Sequence, residues 1–201
     1  MNRIYGITHA IQMQLDSQDS DEADDVEEDD ESVSPATVER DEVSRQLVSY
    51  SMGTVLGRWD IRLVRKATID SYPNPFDALP TCPPGMLQNA AGLPATPADV
   101  PADYPLRISW SGILVDDETN KEDLVGRVRE ALGVIWPETH DAIEQEACQI
   151  LGVATLRDYF ASPNRFFDDH LKRYSKSRRQ APIYWPLSTP SGSYTLWLYY
   201  H

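Results

Sequence analysis

This sequence is poor in the residues that announce a chemistry. It holds two cysteines, Cys82 and Cys148, too few for a disulfide framework or a cysteine-based zinc site, so both are expected to be reduced thiols. No apolar run approaches the roughly 18 to 20 residues of a membrane span. "MNRIYGITHA" also lacks the charged, apolar, then small-residue order of a secretory signal. The expectation is a cytoplasmic protein with no membrane partner.

Catalytic signatures are equally scarce. None of the ten glycines stands two residues from another, which excludes the Gly-x-Gly turn where backbone approaches a nucleotide or S-adenosylmethionine on a doubly wound sheet. No serine sits in a G-x-S-x-G elbow, and His9, His140, His170 and His201 lie in no catalytic context; His170 reads as a helix residue near the core. A metal-dependent nuclease needs an acidic residue two positions before a lysine. Here Val64, Thr119, His170 and Tyr174 occupy those positions before Lys66, Lys121, Lys172 and Lys176. Asp116, Asp117 and Glu118 read as a solvated turn. "PNPFDALP" comes near the [Asn/Asp]-Pro-Pro-aromatic loop with which amino-methyltransferases hold a flipped base, but Asn74-Pro75-Phe76 is one proline short. It reads as loop composition, and no internal repeat is present.

Positive charge is also short, and unevenly so. The chain carries 18 basic against 32 acidic residues, net charge -14. Eleven of those carboxylates lie in "DSQDSDEADDVEEDDES", Asp16 to Ser32, with no basic residue among them, so the remainder is nearly neutral. A like-charge block of that density repels itself and buries nothing; it is expected to be a disordered acidic insertion over 16–33. It lacks the glycine turn and terminal glutamate of a calcium loop. A short helical lead-in, 1–15, precedes it.

What is present is a folded region over 34–201, long enough for one sizeable core. Ser34-Pro35 opens a long amphipathic helix to about Gly57, with Val43, Leu47, Tyr50, Val55 and Trp59 at helical spacing. The following stretch, from Ser71 to Pro105, is too rich in Pro, Gly, Asp and Asn for helix or central strand. "PLRISWSGILVDD" gives a small hairpin or bent strand about Ser111-Gly112. Leu124, Val125, Val128, Leu132, Ile135 and Trp136 mark one helical face ended by Pro137, and a second helix runs from about Asp141 to Leu151. Thr155, followed three residues later by Asp158, begins a short third. Ser162-Pro163 begins a fourth, with Phe166, Phe167, His170, Leu171 and Tyr174 inward. "APIYWPLS" and "SYTLWLYY" form the clearest hairpin. The fold class expected is α+β: a mostly helical connector, a long Pro-rich loop and a C-terminal β-hairpin, without a complete Rossmann methyltransferase domain.

The strongest chemical signal lies in "HLKRYSKSRRQAPIYWPLS". Lys172, Arg173, Lys176, Arg178 and Arg179 cluster there, with Tyr184 and Trp185 following. Cations at a helix end suit the helix dipole, so a purely structural role is available. Their density in a chain otherwise short of positive charge, beside aromatic rings, suits phosphate contacts with stacking nearby. These seven residues are the candidate DNA-binding set.

Taken together, "LGRWDIRL", "PNPFDALPTCPPGML", "GILVDD", "AIEQEACQILGV", "LRDYF" and "FFDDHLKRYSKSRRQAPIYWPLSTPSGSYTLWLYYH" resemble the C-terminal part of PglX-like adenine-specific DNA methyltransferases. Those are enzymes of BREX phage-defence systems, with relatives among single-chain restriction-modification methylases. The resemblance runs from about Ser34 to His201 and is most specific in "SRRQAPIYWPLSTPSGSYTLWLYYH"; "RIYGI" looks like its helical lead-in. It implies transfer of a methyl group from S-adenosylmethionine to adenine N6 by a parent enzyme whose cofactor turn and Asn-Pro-Pro-aromatic loop lie upstream of the matched region. This chain lacks both, so no catalytic, cofactor or metal residue is carried over. It reads as a fragment: a helical connector and the start of a DNA-recognition region, contributing contacts to double-stranded DNA rather than catalysis. Partners would be the remaining methyltransferase portion or other defence-system subunits. Its last strand, Ser193 to His201, is expected to be an open edge with exposed Trp and Tyr. The alternatives are a non-enzymatic nucleic-acid-binding module, or a structural or protein-interaction domain whose tryptophans and tyrosines are core or interface.

Overall fold

The computed structural model describes residues 35–65, 81–161, 165–176, 179–190 and 194–200. The acidic block, the helical lead-in, Asn74-Pro75-Phe76 and Ser162-Pro163 lie outside the described residues. Helix α1, Pro35–Val55, comes first, and a 3-10 turn at Ile61–Arg65 follows it. Strand β1 is Ile113–Val115; helices α2, Leu124–Ile135, α3, His140–Ile150, α4, Leu156–Ala161, and α5, Phe166–Arg173, come next. Short strands β2, Ser175–Lys176, and β3, Arg179–Gln180, precede β4, Tyr184–Ser188, and β5, Thr195–Tyr199. Five helices beside an antiparallel sheet make the fold α+β.

Helix α1 is not amphipathic in the way its apolar spacing suggests. From Ser44 onward it is enclosed nearly all round: Leu47, Val48, Met52 and Val55 are buried, and so are Ser44, Gln46, Ser49, Ser51 and Thr54. Two of these hydroxyls bond back to their own helix, Ser44 Oγ to Arg40 O at 3.0 Å and Thr54 Oγ1 to Ser51 O at 2.8 Å, whereas Ser51 Oγ is covered without a partner among the described residues. The helix packs against α2, α3 and α5. Gly57, at φ 76°, ends it in a left-handed turn that a side chain would strain.

The capping expectation at Thr155 holds, and α2 has a cap that was not expected. Asp123 caps α2 by accepting from Gly126 N at 2.9 Å. At α4, Thr155 N and Oγ1 donate to Asp158 Oδ2 at 3.0 and 2.8 Å, and Asp158 N returns a bond to Thr155 Oγ1. Asp116 is not merely a solvated turn residue: with Asp123 it holds the Arg157 guanidinium.

The three-stranded sheet has the order β1-β5-β4, all antiparallel. "PLRISWSGILVDD" therefore contributes one strand, not a hairpin; its partner is β5, distant in sequence, while Gly112 N closes a local turn onto Ser109 O at 2.9 Å. The expected open terminal edge is corrected too. Strand β5 is central, paired on both sides, and Trp197 is 1 % exposed against Phe160, Phe166 and Phe167.

Both outer edges are blunted. Val115 N donates to Glu122 O at 2.9 Å, so the chain entering α2 covers β1. On β4, Tyr184 N points away from β5 and donates to His170 Nε2 at 3.1 Å, as does Ile183 N at 2.8 Å. Two residues on, the position facing the same way is Pro186, which has no N–H to offer. An edge whose donors are taken or missing is a poor template for another strand.

Candidate nucleic-acid interface

The basic-aromatic segment is divided by the fold. Alternation along β4 sends Tyr184 inward and Trp185 outward. Tyr184 is 1 % exposed and stacks with His170 and Phe166, ring centroids 4.8 and 6.4 Å away. Burial raises its phenol pKa, which keeps it neutral. A ring covered to that degree does not meet a base without opening the core, so Tyr184 belongs to the interior. Trp185 is 52 % exposed on the opposite face, one cross-strand row with Leu198 and Ile113; Leu187, 54 % exposed, lies in the next row with Leu196. The outer face of the sheet is thus apolar.

The cations separate likewise. Lys172, on α5, pairs with Asp168 at 2.9 Å, an exposed i,i+4 contact. Arg173 reaches back to Glu42 of α1 at 3.1 Å with its side chain largely covered. These two are the helix-end cations whose structural role the dipole already supports. Lys176 and Arg179 face each other in register across the β2–β3 ladder. Arg179 is exposed and has no carboxylate partner among the described residues. Arg178, between them in sequence, lies outside the described residues. The hairpin is closed at its foot by Ala181 N donating to Tyr174 O at 3.1 Å.

His170 stands between the two halves. Its Nε2 accepts both backbone N–H groups that precede and open β4, which leaves the proton on Nδ1, where no partner is present among the described residues. Burial, reinforced by Arg173 and Arg58, lowers its pKa to about 3. It is a neutral structural group.

One basic residue escapes the sequence reading. Arg58, in "LGRWDIRL", lies with its guanidinium carbon 4.6 Å from the centroid of Trp59 and 5.6 Å from that of Tyr174. The sequence offered a partial signal, an Arg-Trp pair directly after a helix-ending glycine. Tyr174, the second ring, is remote in the chain and could not be foreseen.

The described residues do not fit S-adenosylmethionine. Its usual cradle lies at the carboxyl ends of parallel strands, and this sheet is antiparallel. No group of three or more His, Cys, Asp or Glu side chains poised to hold a metal occurs among the described residues, and no described helix is long and apolar enough to cross a membrane.

Comparison with known proteins adds one relative. The chain is 26 % identical over 163 residues to the "Adenine-specific methyltransferase BrxX" of Escherichia coli O9:H4 (strain HS), a match covering 75 % of this chain and 12 % of that protein. The chain thus spans a small part of the length of the curated relative it matches. No family model and no solved structure matches it. The similarity supports a distant relationship to an adenine-specific methyltransferase.

Proposed function

We propose that this chain is a DNA-contacting portion of an adenine-specific, N6-directed DNA methyltransferase of a phage-defence or restriction-modification system. The 163-residue similarity to an adenine-specific methyltransferase carries this reading. The role proposed is to hold duplex DNA while the remaining methyltransferase portion supplies S-adenosylmethionine and the base-binding loop. The β2–β3 hairpin is the contact element: Lys176, Arg179 and the intervening Arg178 meet phosphates, positioning the duplex without reading its sequence. Lys172 and Arg173 contribute through the helix end they stabilise. Trp185 offers an exposed ring beyond it.

Two measurements test the proposal. Calorimetry with S-adenosylmethionine should give no saturable binding to this chain alone. A labelled DNA duplex should bind with an affinity that falls steeply and log-linearly with salt; a chain that ignores duplex DNA at low salt would overturn the proposed role.

A second reading, a protein-interaction domain, is favoured by the apolar outer face of the sheet, where Ile113, Trp185 and Leu187 are all exposed. The two are compatible where the DNA-contacting portion also docks on a larger enzyme.

A further inference from the structure

Arg58 stands apart from most of the enclosed arginines. Arg45, Arg127, Arg157 and Arg173 each find a carboxylate, and half-buried Arg165 donates to Gly152 O at 3.2 Å. Arg58 is half-buried, yet no described residue accepts a hydrogen bond from it, and its Nε is fully covered without a partner. Nε is fully covered, whereas neither terminal nitrogen is both covered and unpaired among the described residues. Burying part of a guanidinium while leaving its fork unused is costly unless a further acceptor completes it.

The fold holds this group rigidly. Arg58 N donates to Gly53 O at 2.8 Å, and Arg58 O accepts from Leu87 N at 3.0 Å, so its backbone is tied to α1 on one side and to the Pro-rich loop on the other. Its Trp59 platform depends on Gly53: a Cβ there would lie 2.4 Å from Trp59 Cδ1 and 2.8 Å from the Tyr184 hydroxyl. Tyr174 supplies the second ring from the C-cap of α5. The guanidinium plane is thus steered by two aromatic contacts from elements far apart in sequence.

No carboxylate pairs with Arg58 among the described residues, although the Tyr184 and Tyr199 phenols lie within its electrostatic reach. His170 Nδ1, 1 % exposed with its residue, is a second buried N–H without a partner. Arg58 and Arg173 both disfavour protonation of that imidazole, which places two guanidinium charges within electrostatic reach of it. Only Arg173 is neutralised, by Glu42. Tyr174 also forms the foot of the β2–β3 hairpin, so Arg58 lies at the root of the element that carries Lys176 and Arg179.

We infer that Arg58, steered by Trp59 and Tyr174 at the foot of the β2–β3 hairpin, is a phosphate-binding residue whose open edge takes two oxygens of one phosphate group. A planar fork matches phosphate geometry, and a ring-supported fork loses little freedom on binding. Where the phosphate is that of duplex DNA, the inference rests on the reading proposed above and extends its contact surface from the hairpin tip to its root. A free phosphate or mononucleotide would present the same chemistry.

The test uses the full chain and two probes, a short DNA duplex and inorganic phosphate, with the Arg58 Nε–H resonance as the direct readout. The resonance should shift and saturate with the duplex. Arg58→Met, which keeps most of the stem, should weaken duplex binding about ten-fold and reduce the salt slope by about 0.9. Arg58→Lys should restore the slope but not the full affinity, because charge returns without the fork. A merely structural cation–π role would leave the resonance and the slope unmoved. If Arg58→Met fails to fold, the titration of the wild-type resonance decides alone. Duplex binding with Arg58 unmoved overturns this inference and leaves the DNA reading standing. Phosphate moving Arg58 without duplex binding sinks the DNA reading and keeps the phosphate site. Silence toward both probes overturns both.

Discussion

The segment from Phe166 to Tyr199 contains two regions of opposite character. In one, Phe166, His170, Tyr184 and Trp197 interlock with Phe160 in the centre of the molecule. In the other, a few residues away in sequence, the short ladder of β2 and β3 leaves Ser175, Arg179 and Gln180 exposed. The difference teaches that a basic-aromatic composition is not itself a nucleic-acid surface. Rings and cations that alternate in sequence are sorted by the strand period, rings such as Tyr184 going into the core while Arg179 stays outside. Only Trp185 is a large aromatic of β4 on the outer side.

The largest expected effect breaks the comparison within one sheet. Trp197→Ala empties a site against three phenylalanines and should cost about 3–5 kcal/mol of stability by chemical denaturation. Trp185→Ala, on the other face of the same sheet, should change it by no more than about 0.5 kcal/mol. Equal losses would mean that the two faces are not as different as the burial says.

A smaller effect sharpens the boundary at His170. Its folded pKa is lowered to about 3 from an ordinary value of 6.5. Below pH about 6.5 the unfolded chain takes up a proton that the folded chain refuses, so this group makes stability fall as pH drops from about 6.5 toward 3, with no contribution above that window. The slope approaches about 1.4 kcal/mol per pH unit. Urea midpoints between about pH 7 and 5, above the range where carboxylates dominate, should decline for the wild type and flatten in His170→Gln. An identical decline in both would remove His170 as the cause.

The smallest effects concern the two helix-end cations. Arg173→Ala removes a largely covered side chain and its bond to Glu42 and should cost about 1 kcal/mol. Lys172→Ala removes one exposed i,i+4 pair and should cost no more than about 0.5 kcal/mol. Thermal melts of the two variants rank them; the reverse order would show that the Glu42 contact does not tie α5 to α1.

Much of this architecture was legible in the residues, and what was not has physical reasons. Local signals read correctly: Thr155 as a cap, the apolar face of α2, and the β4–β5 hairpin. Helix α1 misled because a stripe such as Leu47 and Val55 says which side is apolar, while only the tertiary structure says that Ser51 and Thr54 are enclosed as well. The pairing of β1 with β5 was invisible because about eighty residues separate them, and no turn links the two. That Tyr184 faces in and Trp185 out follows from alternation only once the phase is known, and His170, which receives the β4 backbone, sets it. Arg58 was passed over because its second ring, Tyr174, arrives from another helix.

In the proposed role the hairpin meets DNA phosphates while the neighbouring aromatic core only supports it. The most direct test is the salt dependence of duplex binding for the wild type and for Lys176→Ala combined with Arg179→Ala, with a thermal melt of each. Melting temperatures should coincide, and the log-log salt slope of the double variant should be shallower by about 1.8, some 0.9 for each phosphate that is no longer neutralised. Affinity should fall equally on unrelated duplex sequences. Unchanged affinity and slope at low salt, with the double variant fully folded, would contradict the claim.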